Sequence, residues 1–461
     1  MTKGDFINLL KQSTSMKLTQ GQSAAVDCLL DYLSSRQKNS LMLLKGYAGT
    51  GKTTLVGILV NLFQKIGVEV VLLSPTGRAA KVMSHYAHHP AYTIHKEIYY
   101  VERNPLGNRL TVKKNKHRKA IFFVDEASMI YDEQYSQSQS SFEHHSLLED
   151  LFQYVESGDN CFLILIGDHA QLPPVGMDYS PAIEKDYLKA RFGKTIFEVE
   201  LTEVLRQTEE SGILKNATEI RHAIQNNQFE EYNFAEHQTK DVEVLNAVDI
   251  MEELQTAYAH YSGEGVVCIT KSNKQANLLN ATIRNRILFF EQQLDAGDYV
   301  MSVKNNYFWL PENSSTPFIA NGDIMEIMSV RNMEEVYGFH FADIYLRLAD
   351  YDCDIVDAKV LLDTLYAEEA AINEESSQEL FANIEADYMH ITNKKERLAA
   401  IKKDPYYNAL QIKFAYAQTC HKTQGGQWDK VFLLPWKNSE QTKSLMYYRW
   451  LYTAVTRAKE H

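Results

Sequence analysis

The sequence predicts an α/β protein with parallel sheets and two insertions. Three observations carry this. Short apolar strands alternate with helical stretches: Leu41–Leu44, Val70–Leu73, Ile121–Val124 and Phe162–Ile166 form a first set. A second set begins near Leu201 and includes Val266–Thr270, Ile412–Ala417 and Val431–Leu434. Such alternation folds as parallel sheets with helices on their faces. Next, Gly46-Tyr-Ala-Gly-Thr-Gly51-Lys52-Thr53 fits the pattern GxxxxGK followed by Ser or Thr, between the strand Leu41–Leu44 and a helical run from Leu55 to Phe63. Finally, the stretches 84–119 and 297–410 break the alternation.

The elements follow from local pattern. Residues 1–38 read as helix, with Phe6, Leu9 and Leu10, then Ala25, Leu29, Leu30 and Leu33, at helical spacing. In the first interruption Glu97–Glu102 alternates, Asn-Pro-Leu-Gly-Asn follows, and Arg109–Val112 returns, which reads as a β-hairpin with a Pro/Gly turn. The second interruption opens with strand-like runs at Tyr299–Val303, Ile324–Val330, His340–Leu348 and Ile355–Leu361. Its later part, 363–403, is rich in Ala, Glu and Lys and reads as helical with a solvated charged face.

Composition bounds the class. At roughly 150 residues per domain, 461 residues predict about three domains. Hydrophobic residues make up 45% and charged residues 23%, which argues against a disordered or fibrous chain. The longest apolar run, Cys161–Ile166, falls far short of the ~18 residues a membrane span needs. No apolar stretch follows the first residues, so neither a secretory leader nor a membrane partner is expected. Cys28, Cys161, Cys268, Cys353 and Cys420 form no CxxC pair, which fits reduced thiols and a cytoplasmic location. The 60 acidic against 47 basic residues leave a net charge of −13, so any nucleic-acid contact is expected in a local groove.

The glycine-rich loop points to phosphate. Its glycines let the backbone wrap phosphate oxygens, and successive N–H groups at a helix N-terminus supply positive charge. Lys52 suits the β and γ oxygens, and the Thr53 hydroxyl suits Mg²⁺. Ile121–Val124 then delivers Asp125 and Glu126 at a strand end, a Walker B arrangement. Asp125 would hold Mg²⁺, and Glu126 would orient and deprotonate an attacking water. Together these residues imply hydrolysis of ATP or GTP, without saying what the energy drives.

Further motifs narrow this. They are Leu18-Thr-Gln-Gly-Gln22, Ser74-Pro-Thr-Gly-Arg-Ala-Ala-Lys81, Thr93-Ile-His95, Asp125-Glu-Ala-Ser-Met129, Gly167-Asp-His-Ala-Gln-Leu-Pro-Pro-Val-Gly176, Leu201-Thr-Glu-Val-Leu-Arg206-Gln207, Thr419-Cys-His-Lys-Thr-Gln-Gly425 and Tyr452-Thr-Ala-Val-Thr-Arg-Ala-Lys459. In this order the series resembles the superfamily 1B DNA helicases, most closely the RecD-like and Dda-like branch. The resemblance spans Leu18 to Lys459. It implies two RecA-like P-loop domains: 1A, residues 1–83 and 120–199, and 2A, residues 200–296 and 411–461. It implies an inserted hairpin, 1B or the pin, at 84–119, and an SH3-like barrel with a helical extension, 2B, at 297–410. ATP with Mg²⁺ would lie between 1A and 2A, held by Gly46, Gly49, Thr50, Gly51, Lys52, Thr53 and Thr54, with Gln22 reading the adenine edge. The metal would sit on Thr53 and Asp125. Gln171 would sense the γ-phosphate, and Arg206 and Arg457 would reach it from the second domain. A positioned guanidinium stabilises the charge that phosphoryl transfer gathers, and one supplied by a second domain ties hydrolysis to closure.

The same resemblance implies single-stranded DNA across both domains. Pro75, Thr76, Thr93 and His95 would touch it from 1A, and Thr419, His421 and Lys422 from 2A. Hydroxyls, backbone N–H groups and a lysine suit phosphate contacts without sequence readout. His95 and His421 have the alternative of packing in a core. Tyr99 and Tyr100 either stack on bases at a fork or pack under the hairpin. The basic run Lys113–Lys119 either guides the DNA backbone or is a solvated loop. The segment 363–403 has three alternatives: contact with the pin, contact with a protein partner, or neither.

The expected activity is ATP-driven 5′ to 3′ movement on single-stranded DNA with unwinding at duplex junctions, by a monomer. Two alternatives remain at this level: an ATPase subunit of a recombination or exonuclease complex, and a nucleotide-gated clamp. One departure stands out. The sequence ends at His461, soon after the last motif, where relatives usually continue into another strand; either the chain is trimmed or its second domain is short at that edge, which would loosen Arg457.

Overall fold

The structure is a computed structural model. It describes residues 3–461 except 14–15, 36, 105–106, 133–145, 204–210, 235–238, 247, 262, 312–313, 315–317, 350–354, 370 and 437–439; for 101–109 only the backbone of the described residues is considered.

The first core runs α1 (Lys3–Ser13), α2 (Gln20–Ser35), β1 (Ser40–Gly46), α3 (Lys52–Lys65), β2 (Val70–Ser74), α4 (Gly77–Ala87), β3 (Ala91–Thr93) and α5 (Ile94–Ile98). It continues through a hairpin, β4 (Tyr99–Asn104) and β5 (Gly107–Val112), to β6 (Ile121–Val124), α6 (Leu147–Glu156), β7 (Phe162–Gly167), α7 (Lys185–Phe192) and β8 (Thr195–Leu201). Six parallel strands form its sheet in the order β3-β2-β6-β7-β1-β8. Both faces are buried because successive side chains point opposite ways. Met42, Leu44, Leu72, Phe123 and Ile164 pack on one side. Leu41, Leu43, Leu73, Phe122 and Leu163 pack on the other. Strand β8 is an edge that the apolar-run reading passed over, because Thr195–Leu201 carries two glutamates, Glu198 and Glu200.

The second core contains α8 (Gly212–Asn226), α9 (Ile250–His260), β9 (Val266–Thr270) and α10 (Asn273–Arg286). The chain then enters a closed barrel of β10 (Tyr299–Ser302), β11 (Ile324–Val336), β12 (Phe339–Leu348) and β13 (Val356–Leu361), completed, after α11 (Glu374–Asp387) and α12 (Lys394–Ile401), by β14 (Leu410–Phe414). It returns through β15 (Ala417–Thr419), α13 (Cys420–Thr423), β16 (Lys430–Leu433) and α14 (Leu445–Val455), with a parallel sheet β15-β9-β16.

Two differences from the sequence reading have physical causes. The expected strand Ile412–Ala417 is two strands in different sheets. Its first part lies in β14, which closes the barrel by pairing with β10 through Ile412–Phe414 and with β13 through Leu410 and Gln411, and its last residue, Ala417, pairs with β9. A continuous apolar run cannot reveal that division, because both destinations are buried. The helical extension is also not merely solvated. Leu380, Ile384 and Ile401 bury one face of α11 and α12 against Phe339, Phe341 and Leu361 of the barrel.

The barrel and second core share one apolar interior, in which Ala257, Cys268 and Ile283 join Val300, Met325 and Ile344. At their junction Arg284, 1% exposed, donates to both carboxylate oxygens of Asp298 at 2.8 and 2.7 Å. Another cluster crosses between the two cores, bringing Tyr47, Ala170 and Leu172 against Val267, Trp428, Leu451 and Tyr452. Among the described residues no helix is long and apolar enough to cross a membrane.

Candidate functional site

The site grows from the carboxyl ends of the first sheet. Strand β1 ends at Gly46, whose Cα leaves no room for a side chain: an added Cβ would stand 3.0 Å from both Leu201 Cβ and Thr50 Oγ1. The loop then turns through Gly49 at φ 79° and Gly51 at φ 77°, a region open to glycine without steric cost. The Thr50 hydroxyl donates to the Tyr47 carbonyl at 2.7 Å and tightens the turn. Lys52 opens α3 and folds back, donating to the carbonyls of Gly46 at 2.6 Å and Tyr47 at 2.8 Å. Thr53 and Thr54 occupy the same first helical turn, half-buried. The loop is thus held open by its own lysine, with helix amides at its mouth.

Strand β6 ends beside it at Asp125 and Glu126. Asp125 Oδ1 accepts the Glu126 N–H at 2.9 Å, and Glu126 adopts φ 52°, an uncommon conformation for a side chain of that size. Burial, and then the adjoining Glu126 carboxylate, push the Asp125 pKa up to about 6, with Lys52 acting in the other direction. Two carboxylates in this position repel each other, and a divalent cation would relieve the repulsion. With Thr53 on the facing helix turn, the donor set is all oxygen, as Mg²⁺ requires.

A further pattern was not legible in the sequence. Ser74 Oγ, Ser128 Oγ and Gln171 Oε1 are buried without a hydrogen-bond partner among the described residues. Ser74 is the last residue of β2, and Ser128 and Gln171 follow β6 and β7, at the same carboxyl end of the sheet as the phosphate loop. Buried polar groups are nearly always paired, so a row of unpaired ones beside that loop marks a ligand-facing edge. Ser74 and Ser128 lie within two of the motifs, yet nothing in their local sequence distinguishes them from capping serines.

From the second core, Arg457 reaches this edge. It is 4% exposed, and its Nη1 lies 3.9 Å from Glu126 Oε1. Its Nε donates to the Thr453 carbonyl at 3.0 Å and its Nη1 to the Gly426 carbonyl at 3.2 Å. The isolated bridge between Trp428 and Ala458 steadies the segment after α14. Arg206 lies outside the described residues. Gln22 is buried and engaged: its Oε1 accepts the Thr19 N–H at 3.1 Å, while its own N–H donates to Thr19 Oγ1 at 3.2 Å. That reciprocal pair is a capping box for α2.

The residues expected to meet a strand lie beyond the same cleft. Thr76 and Thr93 accept from the Ala79 and Lys96 amides, capping α4 and α5. Pro75 is half-buried just before Thr76. Gly425 approaches α4 so closely that an added Cβ would meet Ala79 Cβ at 2.9 Å and Thr76 Oγ1 at 3.0 Å, so the two cores touch here. Arg78 reinforces the contact, its guanidinium 3.9 Å from the Trp428 ring centroid. His95 packs near Tyr99 and, edge-on, against Phe318, and burial lowers its pKa to about 4. Thr419 caps α13. His421 follows it with its pKa lowered by burial, and Lys422 is brought down to about 8 by burial and then by Lys413.

The hairpin separates its two tyrosines. Tyr99 is buried, and its hydroxyl donates to Asp150 Oδ2 at 2.6 Å. Of the two alternatives for Tyr99, the structure has packing under the hairpin: neighbours cover its ring and that bond engages its hydroxyl. Tyr100 points the other way along the strand, as alternation requires, and is 46% exposed. The basic run after β5 is also partly committed: His117 sits between Glu69 at 2.6 Å and Glu97 at 3.0 Å.

Residues 17–239 match the model of an AAA domain, and residues 414–461 match that of a UvrD-like helicase C-terminal domain. The chain is 29% identical over 206 residues to the ATP-dependent RecD2 DNA helicase of Deinococcus radiodurans, covering 45% of this chain and 25% of that protein. It is 26% identical over 295 residues to the ATP-dependent DNA helicase dda of Enterobacteria phage T4, covering 62% and 60%. It therefore spans less than two thirds of the length of these curated relatives. Solved structures with similarity include two coordinating Pif1 helicases at forked DNA, with TM-score 0.47, 17% identity and coverage of 96% and 90%. A Bacteroides Pif1 helicase in complex with ADP-AlF3 and single-stranded DNA has TM-score 0.46, 17% identity and coverage of 96% and 91%. The phosphate loop lies in the first of these matches and the helicase C-terminal match lies at the other end of the sequence; the two meet at one cleft, and the chain is similar to ATP-dependent DNA helicases of the RecD2 and dda kind.

Proposed function

We propose that this chain is an ATP-driven motor that moves 5′ to 3′ on single-stranded DNA and separates duplex at junctions. The observation that carries the reading is Arg457, a cation of the second core lying 3.9 Å from the Glu126 carboxylate of the first. An ATPase built within one core has no need of that reach. A motor does, because hydrolysis then depends on how the two cores meet.

ATP is the substrate. Gly46, Gly49, Thr50, Gly51 and Lys52 would cradle its phosphates, with Lys52 exchanging its loop carbonyls for phosphate oxygens. Thr53 and Asp125 would hold Mg²⁺, which neutralises phosphate charge when bound. Glu126 takes the proton of the attacking water, and Gln171, whose Oε1 has no partner among the described residues, offers that oxygen to the attacking water and its Nε2–H to the γ-phosphate. Arg457 and Arg206 stabilise charge on the transferring group, worth roughly 10³–10⁵ in rate for a positioned arginine. Gln22 contacts the adenine with the part of its amide that the α2 cap leaves over.

The strand would run across Pro75, Thr76, Thr93 and His95 on one core and Thr419, His421 and Lys422 on the other, with Tyr100 at the fork. The seam between α4 and Gly425 supports this, since a strand crossing it spans both cores and feels their movement. The proposed units are 1–83 with 120–199, the pin at 84–119, 200–296 with 411–461, and the barrel with its helices at 297–410, acting as a monomer in the cytoplasm.

The test is ATP-dependent strand separation on two matched duplexes, one with a 5′ tail and one with a 3′ tail. Unwinding from the 5′ tail alone is expected. Unwinding from the 3′ tail alone overturns the direction, and no ATP turnover with single-stranded DNA overturns the motor.

A further inference from the structure

The contacts that join α14 to the first core are specific hydrogen bonds. Tyr452 is 1% exposed, and its hydroxyl bridges two elements of the opposite core. It accepts the Ala48 N–H of the phosphate loop at 2.7 Å and donates to Asp168 Oδ2 at 2.7 Å. Asp168 in turn accepts the Ala170 N–H through Oδ1 at 3.0 Å, which shapes the segment leading to Gln171. The next residue, Thr453, is fully buried, and its Oγ1 accepts the Leu172 N–H at 2.8 Å. The Leu172 carbonyl accepts Gln424 Nε2 at 2.7 Å, so both polar groups of Leu172 are bound from the second core.

One helical turn later comes Arg457. Its Nε donates to the Thr453 carbonyl at 3.0 Å. The residue that docks on Leu172 through its hydroxyl therefore holds the guanidinium through its backbone. A continuous set of bonds runs from the phosphate loop, through Tyr452 and Thr453, to the cation facing Glu126. Ring packing alone would bury Tyr452 and would not require a hydroxyl at this position. Burial raises the Tyr452 pKa well above its ordinary value, which keeps the proton available for donation to Asp168.

We propose that Tyr452 and Thr453 are positioning residues that dock α14 on the phosphate loop and on segment 168–172, and so set where Arg457 meets the reacting phosphate. The inference rests on the motor reading and on Arg457 as its cation. It adds residues that touch no substrate and act through another side chain.

The experiment is single-turnover and steady-state ATP hydrolysis by the full chain with saturating single-stranded DNA. The variants are Tyr452→Phe, Thr453→Val, Thr453→Ser, Arg457→Ala and the double variant Tyr452→Phe/Arg457→Ala. Tyr452→Phe keeps the ring and loses both hydrogen bonds. A misplacement near 1 Å costs about 10²-fold, so a fall in kcat of that order is expected, with KM for ATP little changed. Thr453→Val, of the same shape, is expected to fall about 10-fold, the order of one neutral hydrogen bond, and Thr453→Ser to recover most of that loss. The deciding comparison is the double variant. If Tyr452 acts through Arg457, Tyr452→Phe costs little further rate once Arg457 is gone. An equal loss with and without Arg457 overturns the inference and leaves the motor reading intact. A wild-type chain without DNA-stimulated hydrolysis overturns the motor reading, and this inference with it. Should Tyr452→Phe fail to fold, the Thr453→Val and Thr453→Ser pair in the two Arg457 backgrounds makes the same distinction.

Discussion

Replacing Asp298 with Ala should loosen the joint between barrel and second core by an amount the structure lets one work out. Asp298 is fully buried and accepts four hydrogen bonds: Arg284 Nε at 2.8 Å, Arg284 Nη2 at 2.7 Å, the Tyr416 hydroxyl at 2.9 Å and the Asp295 N–H at 2.8 Å. Alanine removes all four acceptor contacts and strands a guanidinium that is 1% exposed. What remains around Arg284 is the Asp295 carboxylate at 3.2 Å, the Gln292 carbonyl at 3.1 Å and the Tyr366 hydroxyl at 3.2 Å. Breaking a buried pair on one side costs about 3–5 kcal/mol. At 1.36 kcal/mol per tenfold, that is about 10²- to 10⁴-fold in a local opening equilibrium. Native-state hydrogen exchange measures it at the amides of Val300 and Met301 in β10, where a global melt of several units would blur the effect. Arg284→Met/Asp298→Leu removes the stranded charge and should lie closer to wild type, although Tyr416 and Asp295 keep unpaired donors. Exchange that rises less than about tenfold in Asp298→Ala, or a double variant looser than the single, would refute the reasoning.

Two further outcomes test the site and the hairpin. Glu126→Gln should retain ATP binding, measured by equilibrium titration, and lose turnover by about 10²–10⁴-fold, the usual worth of a general base; normal turnover would take that role from Glu126. Deleting 103–108 should leave DNA-stimulated ATPase near wild type while unwinding is lost, because the buried base of the hairpin at Tyr99 is untouched; an unaffected unwinding rate would remove the pin assignment.

How much was legible in the sequence differs from element to element. The phosphate loop was, because its glycines, lysine and threonine act within one stretch of chain, and the positive φ at Gly49 and Gly51 is what those glycines are for. The Asp125–Glu126 pair was, because four consecutive apolar residues, Ile121–Val124, run directly into two carboxylates. The division of Ile412–Phe414 and Ala417 between two sheets was not, since either sheet would bury them. Gln22 was assigned to adenine, and its capping bonds with Thr19 became visible only once α2 had a start. Tyr99 and Tyr100 were indistinguishable as neighbours, until the pleat turned one toward Asp150 and the other toward solvent.

By itself the sequence determined the parallel α/β cores, the position of the phosphate loop and the family that the series of motifs resembles. These depend on periodicity and on residues acting within a few positions of one another. Only the tertiary structure decided that Tyr452 bonds Ala48 and Asp168, that Arg457 faces Glu126, and that unpaired polar atoms of Ser74, Ser128 and Gln171 share one edge. The contacts of Tyr452 and Arg457 join residues hundreds of positions apart, and their energies exist only when two cores pack and exclude water between them, while the row of unpaired atoms needs β2, β6 and β7 side by side in one sheet.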